Sequence, residues 1–300
     1  MATEQAGNWP QNITRYIESE RRIKGWQHHE PAQLRPSGRT QLLAHGYPTE
    51  RAAVMFHGFT NAPQQFAAFG RLLFEAGYNV LLPRAPHHGL PDQLTTDHAR
   101  LTVDELREAA ERAVDVAAGL GERLMVMGLS MGGVMTAWLA QHHREIDLAV
   151  IIAPALAFRA VPLRLTRLVG EAALRVPNIM RWWDPALKAN TPGPAHMYQR
   201  YATHGLAHIL RLGREVQAAA VRSAPAARQV LVVTNANDED VDNRGAERLV
   251  AAWRAVGADN VRTFEFPRSD GLRHDLIDPQ QPQQRATYVY DVLLDLIERR

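Results

Sequence analysis

Gly128-Leu129-Ser130-Met131-Gly132 stands between the apolar run Leu124-Met125-Val126-Met127 and a helix-forming stretch from Gly133 to His143. A strand, a serine flanked by glycines and then a helix force the serine into a sharp turn that lifts its hydroxyl above a sheet edge. Glycines flank it because a side chain there would collide with the adjoining strand and helix, and because the turn strains the backbone. Small-residue turns also serve as ordinary strand-to-helix connections. The serine gains meaning only from a base and an oxyanion site elsewhere in the chain.

Apolar runs and helical patterns alternate on both sides of this turn. Ala52 to Phe56, Asn79 to Leu82 and Leu148 to Ala153 read as buried strands, and Gln64 to Ala76 and Val103 to Ala118 as helices. After residue 222 come a strand at Gln229 to Val233, a helix at Arg244 to Val256, a strand at Val261 to Phe266 and a helix around Arg285 to Ile297. Strands apolar on both faces, alternating with helices, predict an α/β fold with a mostly parallel central sheet flanked by helices. Residues 1–40 read as a polar lead-in with one short helix around Asn12 to Lys24, and 41–155 and 225–300 as the two parts of the core. Between them, 156–224 lacks a convincing buried strand and carries helical patches separated by prolines. That pattern predicts an inserted helical cap over the carboxyl ends of the strands, where open α/β sheets place their ligands.

The 300 residues are 46% apolar and 22% charged, a composition of globular proteins with one large core. A formal charge of +2 gives no general argument for nucleic-acid binding. Zero cysteines exclude disulfides, thiolate catalysis and cysteine metal sites. The polar start lacks a signal-peptide pattern and no run of apolar residues is long enough to span a bilayer, so a cytoplasmic protein is expected.

Charge is unevenly spread. Residues 156–222 hold nine arginines and Lys188 against Glu171, Asp184 and Glu215, a balance of +7. This suits transient contact with a lipid surface or attraction of anionic substrates, and equally a solvated face that bridges helices. Trp182 and Trp183 lie among apolar neighbours there, as pocket lining for an acyl group or as packing of cap onto core.

A serine hydroxyl needs a base. His274, in the polar loop between the last strand and the last helix, leaves the same sheet edge as Ser130. The histidine in turn needs a carboxylate. Thr234 to Asp242 offers several; Asp238 comes soonest after its strand, while Asp240 and Asp242 approach the next helix and could cap it. His57-Gly58-Phe59-Thr60 follows the Ala52 to Phe56 strand. Its Phe59 N–H, with that of Met131, forms a candidate oxyanion hole; Gly58 permits the turn, and His57 supports the loop by a side-chain hydrogen bond. His204 and His208 have helical chelate spacing but lack the accompanying H-E-x-x-H pattern, and no metal or other cofactor is expected.

With Ser130, Asp238 and His274 in that chain order, His57-Gly58-Phe59-Thr60 and Gly128 to Gly133, the chain resembles the α/β-hydrolase superfamily over about residues 50 to 298. Within it, the chain is similar to capped carboxylesterases and monoacylglycerol-lipase-like serine hydrolases. The resemblance implies hydrolysis of a small apolar ester or monoacylglycerol through an acyl-enzyme on Ser130. An acyltransferase, a C–C or amide hydrolase with the same three residues, and a non-catalytic binding protein are the alternatives. Pro86-His87 departs from the Gly-His-Gly that relatives often carry after this strand, and His88-Gly89 reads as loop architecture. Oligomeric state and acyl-chain length are not specified by these motifs.

Overall fold

A computed structural model describes residues 9–282 and 285–299; the first eight residues of the expected lead-in lie outside them. In chain order the strands are β1 (Gln41–Leu43), β2 (Thr49–Phe56), β3 (Tyr78–Leu82), β4 (Gly121–Leu129), β5 (Ile146–Ile152), β6 (Met180–Trp182), β7 (Arg200–Ala202), β8 (Val230–Asn235) and β9 (Val261–Phe266). Seven form one sheet in the order β1-β3-β2-β4-β5-β8-β9. Only β1 runs antiparallel within it. This short edge strand lies in a half-polar stretch, Gln41–Leu43, whose three residues carry too little pattern to be read as a strand.

The continuous apolar runs are explained by burial on both faces. Val54, Met55, Val80, Leu81, Val126, Met127, Val150 and Ile151 are all fully enclosed. The helices are α1 (Trp9–His28), α2 (Ala67–Glu75), α3 (Val103–Ala117), α4 (Met131–His142), α5 (Thr166–Ala173), α6 (Thr203–Ala220), α7 (Arg244–Ala255) and α8 (Ala286–Glu298). Thr102 and Glu105 form a reciprocal capping box that starts α3. Helix α1 is longer than the lead-in pattern suggests. It buries Tyr16 and Ile23, seven residues and two turns apart, and its Arg22 pairs with Asp115 of α3.

Helix α4 is buried on every side, so its apolar residues show no single stripe. The sheet covers one side, and α6 packs on it from the other. Although α6 lies within 156–224, its Ile209, Leu212, Val216 and Ala220 join the main core. The rest of that segment is thinner: β6 and β7 pair only with each other, and α5 has eight residues resting on α6. No helix among the described residues is long and apolar enough to cross a membrane.

Candidate active site

Strand β4 ends at Leu129 and α4 begins at Met131, which leaves Ser130 alone in the turn with φ 59° and ψ −113°. Left-handed φ is unusual for serine and persists only where the surroundings enforce it. Two enforcers are the flanking glycines. A Cβ on Gly132 would sit 1.9 Å from the Phe56 carbonyl oxygen, and one on Gly128 would sit 2.1 Å from that of Gly132. The turn thus presses β4, the end of β2 and the first turn of α4 together. Ser130 N–H is tied to the Ile152 carbonyl of the neighbouring strand at 3.0 Å.

Ser130 and His274 line one cleft of about 680 Å³. His274 arrives on the loop after β9, and its Nδ1 meets Asp238 Oδ2 at 2.7 Å. The other Asp238 oxygen accepts the Asp240 and Val241 N–H groups, both at 2.9 Å. With both oxygens engaged, the buried carboxylate has one orientation. This geometry separates the competing acids: Asp240 is exposed at the cleft, while Asp242 turns to Arg244 at the start of α7.

Burial alone would raise the Asp238 carboxyl, but the His274 charge and hydrogen bond, then the two N–H groups, hold it below its usual range. For His274, burial pushes the imidazole down, and the Asp238 carboxylate, with Asp240 and Asp275, overcomes this and lifts it to about 9. With Nδ1 carrying the proton shared with Asp238, Nε2 is left as the basic nitrogen once the ring is neutral.

The loop after β2 is held by two buried histidines. His57 donates from Nδ1 to the Gly58 carbonyl at 2.8 Å, and its Nε2 accepts the Ala85 N–H at 3.1 Å. Burial, opposed by the Gly58 bond and assisted by Arg84 and His196, lowers its pKa to about 4, so the ring stays neutral. His88 repeats the device, donating to Pro86 O and accepting the Thr60 N–H. Gly58 N–H goes to Gln65 Oε1 at 2.7 Å. The N–H groups on either side of Phe59 are therefore engaged, whereas the Phe59 N–H meets no acceptor among the described residues. Met131, as the first residue of α4, has no intrahelical acceptor for its own N–H.

Gln65 carries no motif signal and Asp275 is marked only by its place after His274, yet they join the two loops. Gln65 Nε2 donates to Asp275 Oδ2 at 2.8 Å, and Asn61 and Gln281 donate to the same oxygen at 3.1 and 2.9 Å. Asp275 directly follows His274, so this carboxylate links the Gly58 turn to the histidine loop. Burial and nearby Asp278 raise its pKa, against the pull of Gln65 and Gln281. Two of its partners, Asn61 and Gln65, are more than 200 residues away in sequence.

Of the two tryptophans, Trp183 lines the cleft, while Trp182 lies beneath the Arg200 guanidinium at 5.5 Å. Adjacent residues on extended chain point to opposite sides, so one of such a pair faces in. His204 binds the Val176 carbonyl and His208 accepts the Val103 N–H, so the two engage different partners. Among the described residues, no three His, Asp or Glu side chains are grouped to hold a metal ion.

A serine in an enforced turn, an imidazole oriented by a buried carboxylate and two N–H donors with no acceptor among the described residues can together activate a hydroxyl and stabilise an oxyanion.

The sequence family described as serine aminopeptidase, S33 (Hydrolase_4) matches residues 48–279. A thermostable monoacylglycerol lipase from Bacillus sp. (strain H-257) is 31% identical over 130 residues, 43% of this chain and 50% of that protein. The chain spans about half the length of the curated relatives it matches. Among solved structures, that of the metagenome-derived lipolytic enzymes LipS and LipT superposes with a TM-score of 0.68 at 18% identity, covering 89% of this chain and 100% of the other. A Paleococcus ferrophilus monoacylglycerol lipase gives 0.64 at 16% identity, covering 86% and 97%. At such identities the likeness is one of fold, and the fold is that of α/β-hydrolases.

Proposed function

This chain belongs to the serine aminopeptidase S33 family, and from that premise we propose that it hydrolyses carboxylic esters through an acyl-enzyme on Ser130. The observation that carries the reading is the 2.7 Å Asp238–His274 contact at the cleft that Ser130 also lines. In this reading His274 Nε2 takes the Ser130 proton as Oγ attacks the ester carbonyl. The Phe59 and Met131 N–H groups receive the developing negative oxygen. Protonated His274 hands its proton to the departing alcohol, and Asp238 stabilises the imidazolium without taking the proton itself. Water then repeats the sequence on the acyl-enzyme, which restores Ser130 and releases the acid.

The cleft supports an amphiphilic substrate of the monoacylglycerol type. Phe158, Leu206 and Ile209 give it an apolar wall, and Asn61, Asn237 and Arg273 a polar one. The part of 156–224 that supplies the apolar wall acts as a cap. The exposed Leu168, Val176 and Ile179, with the basic balance of that segment, favour transient contact with a lipid surface. Work in the cytoplasm belongs to the same reading and is tested by cell fractionation.

Amide hydrolysis is the second reading, favoured by the acidic Asp184, Glu239 and Asp240 at the cleft, which would suit a substrate with a free amine. Fluorophosphonate labelling, then turnover of p-nitrophenyl esters, monoacylglycerols and aminoacyl p-nitroanilides, decides between them. The ester reading expects labelling at Ser130, its loss in Ser130→Ala, and faster turnover of the acyl esters. Tight ligand binding without labelling or turnover would make the protein a binding module instead.

A further inference from the structure

Thr60, next to the Phe59 N–H, has φ 61°, a left-handed conformation that a β-branched residue adopts only under constraint. Four hydrogen bonds supply the constraint. Its N–H donates to His88 Nε2 at 3.2 Å, and its hydroxyl donates to the Phe59 carbonyl at 2.6 Å. Its carbonyl accepts the Tyr198 N–H at 2.7 Å, and its hydroxyl oxygen accepts the Trp183 indole N–H at 2.9 Å. The last two donors come from the 156–224 segment. The same segment also grips the Phe59 ring, because a Cβ on Gly205 of α6 would sit 2.4 Å from its Cζ. A glycine inside α6, unfavourable for a helix, is thus required by the ring packed against it.

We propose that Trp183 is a positioning residue for the oxyanion donor: its indole N–H fixes Thr60, and through Thr60 the peptide that carries the Phe59 N–H. The inference rests on the ester-hydrolase reading and assigns a second task to a side chain that otherwise reads as pocket wall. Trp183 packs against Tyr201 with ring centroids 4.4 Å apart and planes tilted by 42°, and it lines the cleft. An acyl chain in the cleft and the donor aimed at its carbonyl therefore lean on one side chain. The two tasks differ kinetically. A wall contact acts in the ground state and grows with chain length, whereas donor placement acts on the transition state at every chain length.

Trp183→Phe keeps an aromatic wall and deletes the N–H. On p-nitrophenyl esters from acetate to laurate, kcat should fall about tenfold at every length, between the loss of one hydrogen bond and the loss of a whole oxyanion donor. KM should stay within about twofold. An alkyl trifluoromethyl ketone, which forms an oxyanion adduct with an active serine, should bind about tenfold more weakly. Thr60→Ser, which keeps the hydroxyl, should retain nearly full kcat, and Thr60→Ala should behave like Trp183→Phe. Gly205→Ala, which moves the Phe59 ring from the other side, should lower kcat in the same length-independent way. If Trp183→Phe leaves acetate turnover intact and raises KM only for long esters, Trp183 is a wall and the inference fails while the ester reading stands. If the wild-type protein shows neither labelling nor ester turnover, both fail.

Discussion

The sheet-edge loops and the 156–224 segment build opposite sides of one cleft by different means. At the sheet edge, position is enforced by contact: Gly128 and Gly132 have no room for a methyl group, and Asp238 has both oxygens engaged. In the segment, Leu165, Leu168, Val169, Val176, Ile179 and Leu187 remain substantially exposed, and two three-residue strands pair only with each other. The sheet side therefore holds its geometry through packing. Where the segment meets the Phe59-Thr60 turn, it adds directed hydrogen bonds, those of Trp183 and Tyr198 to Thr60, to the packing of Gly205 on the Phe59 ring. On the proposed reading, the packed half does the chemistry and the sparser half adjusts it.

The sharpest break of this contrast is Asp238→Asn. It should lower kcat/KM by about 10⁴ by removing the acceptor that fixes the His274 tautomer. The pH profile carries a second readout. Because His274 is raised to about 9, the neutral base accumulates as pH rises, and wild-type kcat/KM should climb toward that value. Stability runs the other way. The His274–Asp238 contribution is full below the unfolded imidazole pKa of about 6.5 and is lost as pH rises through about 9. Wild-type Tm should therefore fall over this window, and that component should vanish in the variant. A wild-type Tm that is flat across it would argue against the coupled pair.

Next in size is Gly132→Ala. The added methyl has no space against the Phe56 carbonyl, so a loss of about 3 kcal/mol or more is expected from the urea midpoint. Full stability there would mean the turn is looser than its contacts imply. Asp275→Asn should cost about tenfold in kcat, with a downward shift of the kinetic pKa, since Asp275 both links the Gly58 turn to the histidine loop and helps raise His274. A change in KM alone would assign it to substrate contact. The smallest effect should come from the other region: Leu168→Ser, at a residue 65% exposed, should shift stability by less than about 0.5 kcal/mol. If it also weakens binding to lipid vesicles, the exposed face has a use at a membrane surface.

Much of the sheet side was legible because its signals are local. Buried parallel strands leave unbroken apolar runs, and the glycines at 128 and 132 mark a turn wherever it occurs. The expected strand at Val261 to Phe266 matches β9 residue for residue. The 20-residue length of α1 was not legible, since its burial is decided by α3 and the ion pair to Asp115. Nor were Gln65 and Asp275, whose roles exist only once loops more than 200 residues apart meet.

The order of strands and helices, the turn at Ser130 and a short set of partners for it follow from the sequence itself, because they rest on periodicity, backbone sterics and chain order. Which tryptophan faces inward and why α6 carries Gly205 were decided by tertiary structure. Each depends on an oriented contact with a distant segment, and orientation has no local periodicity from which it can be read.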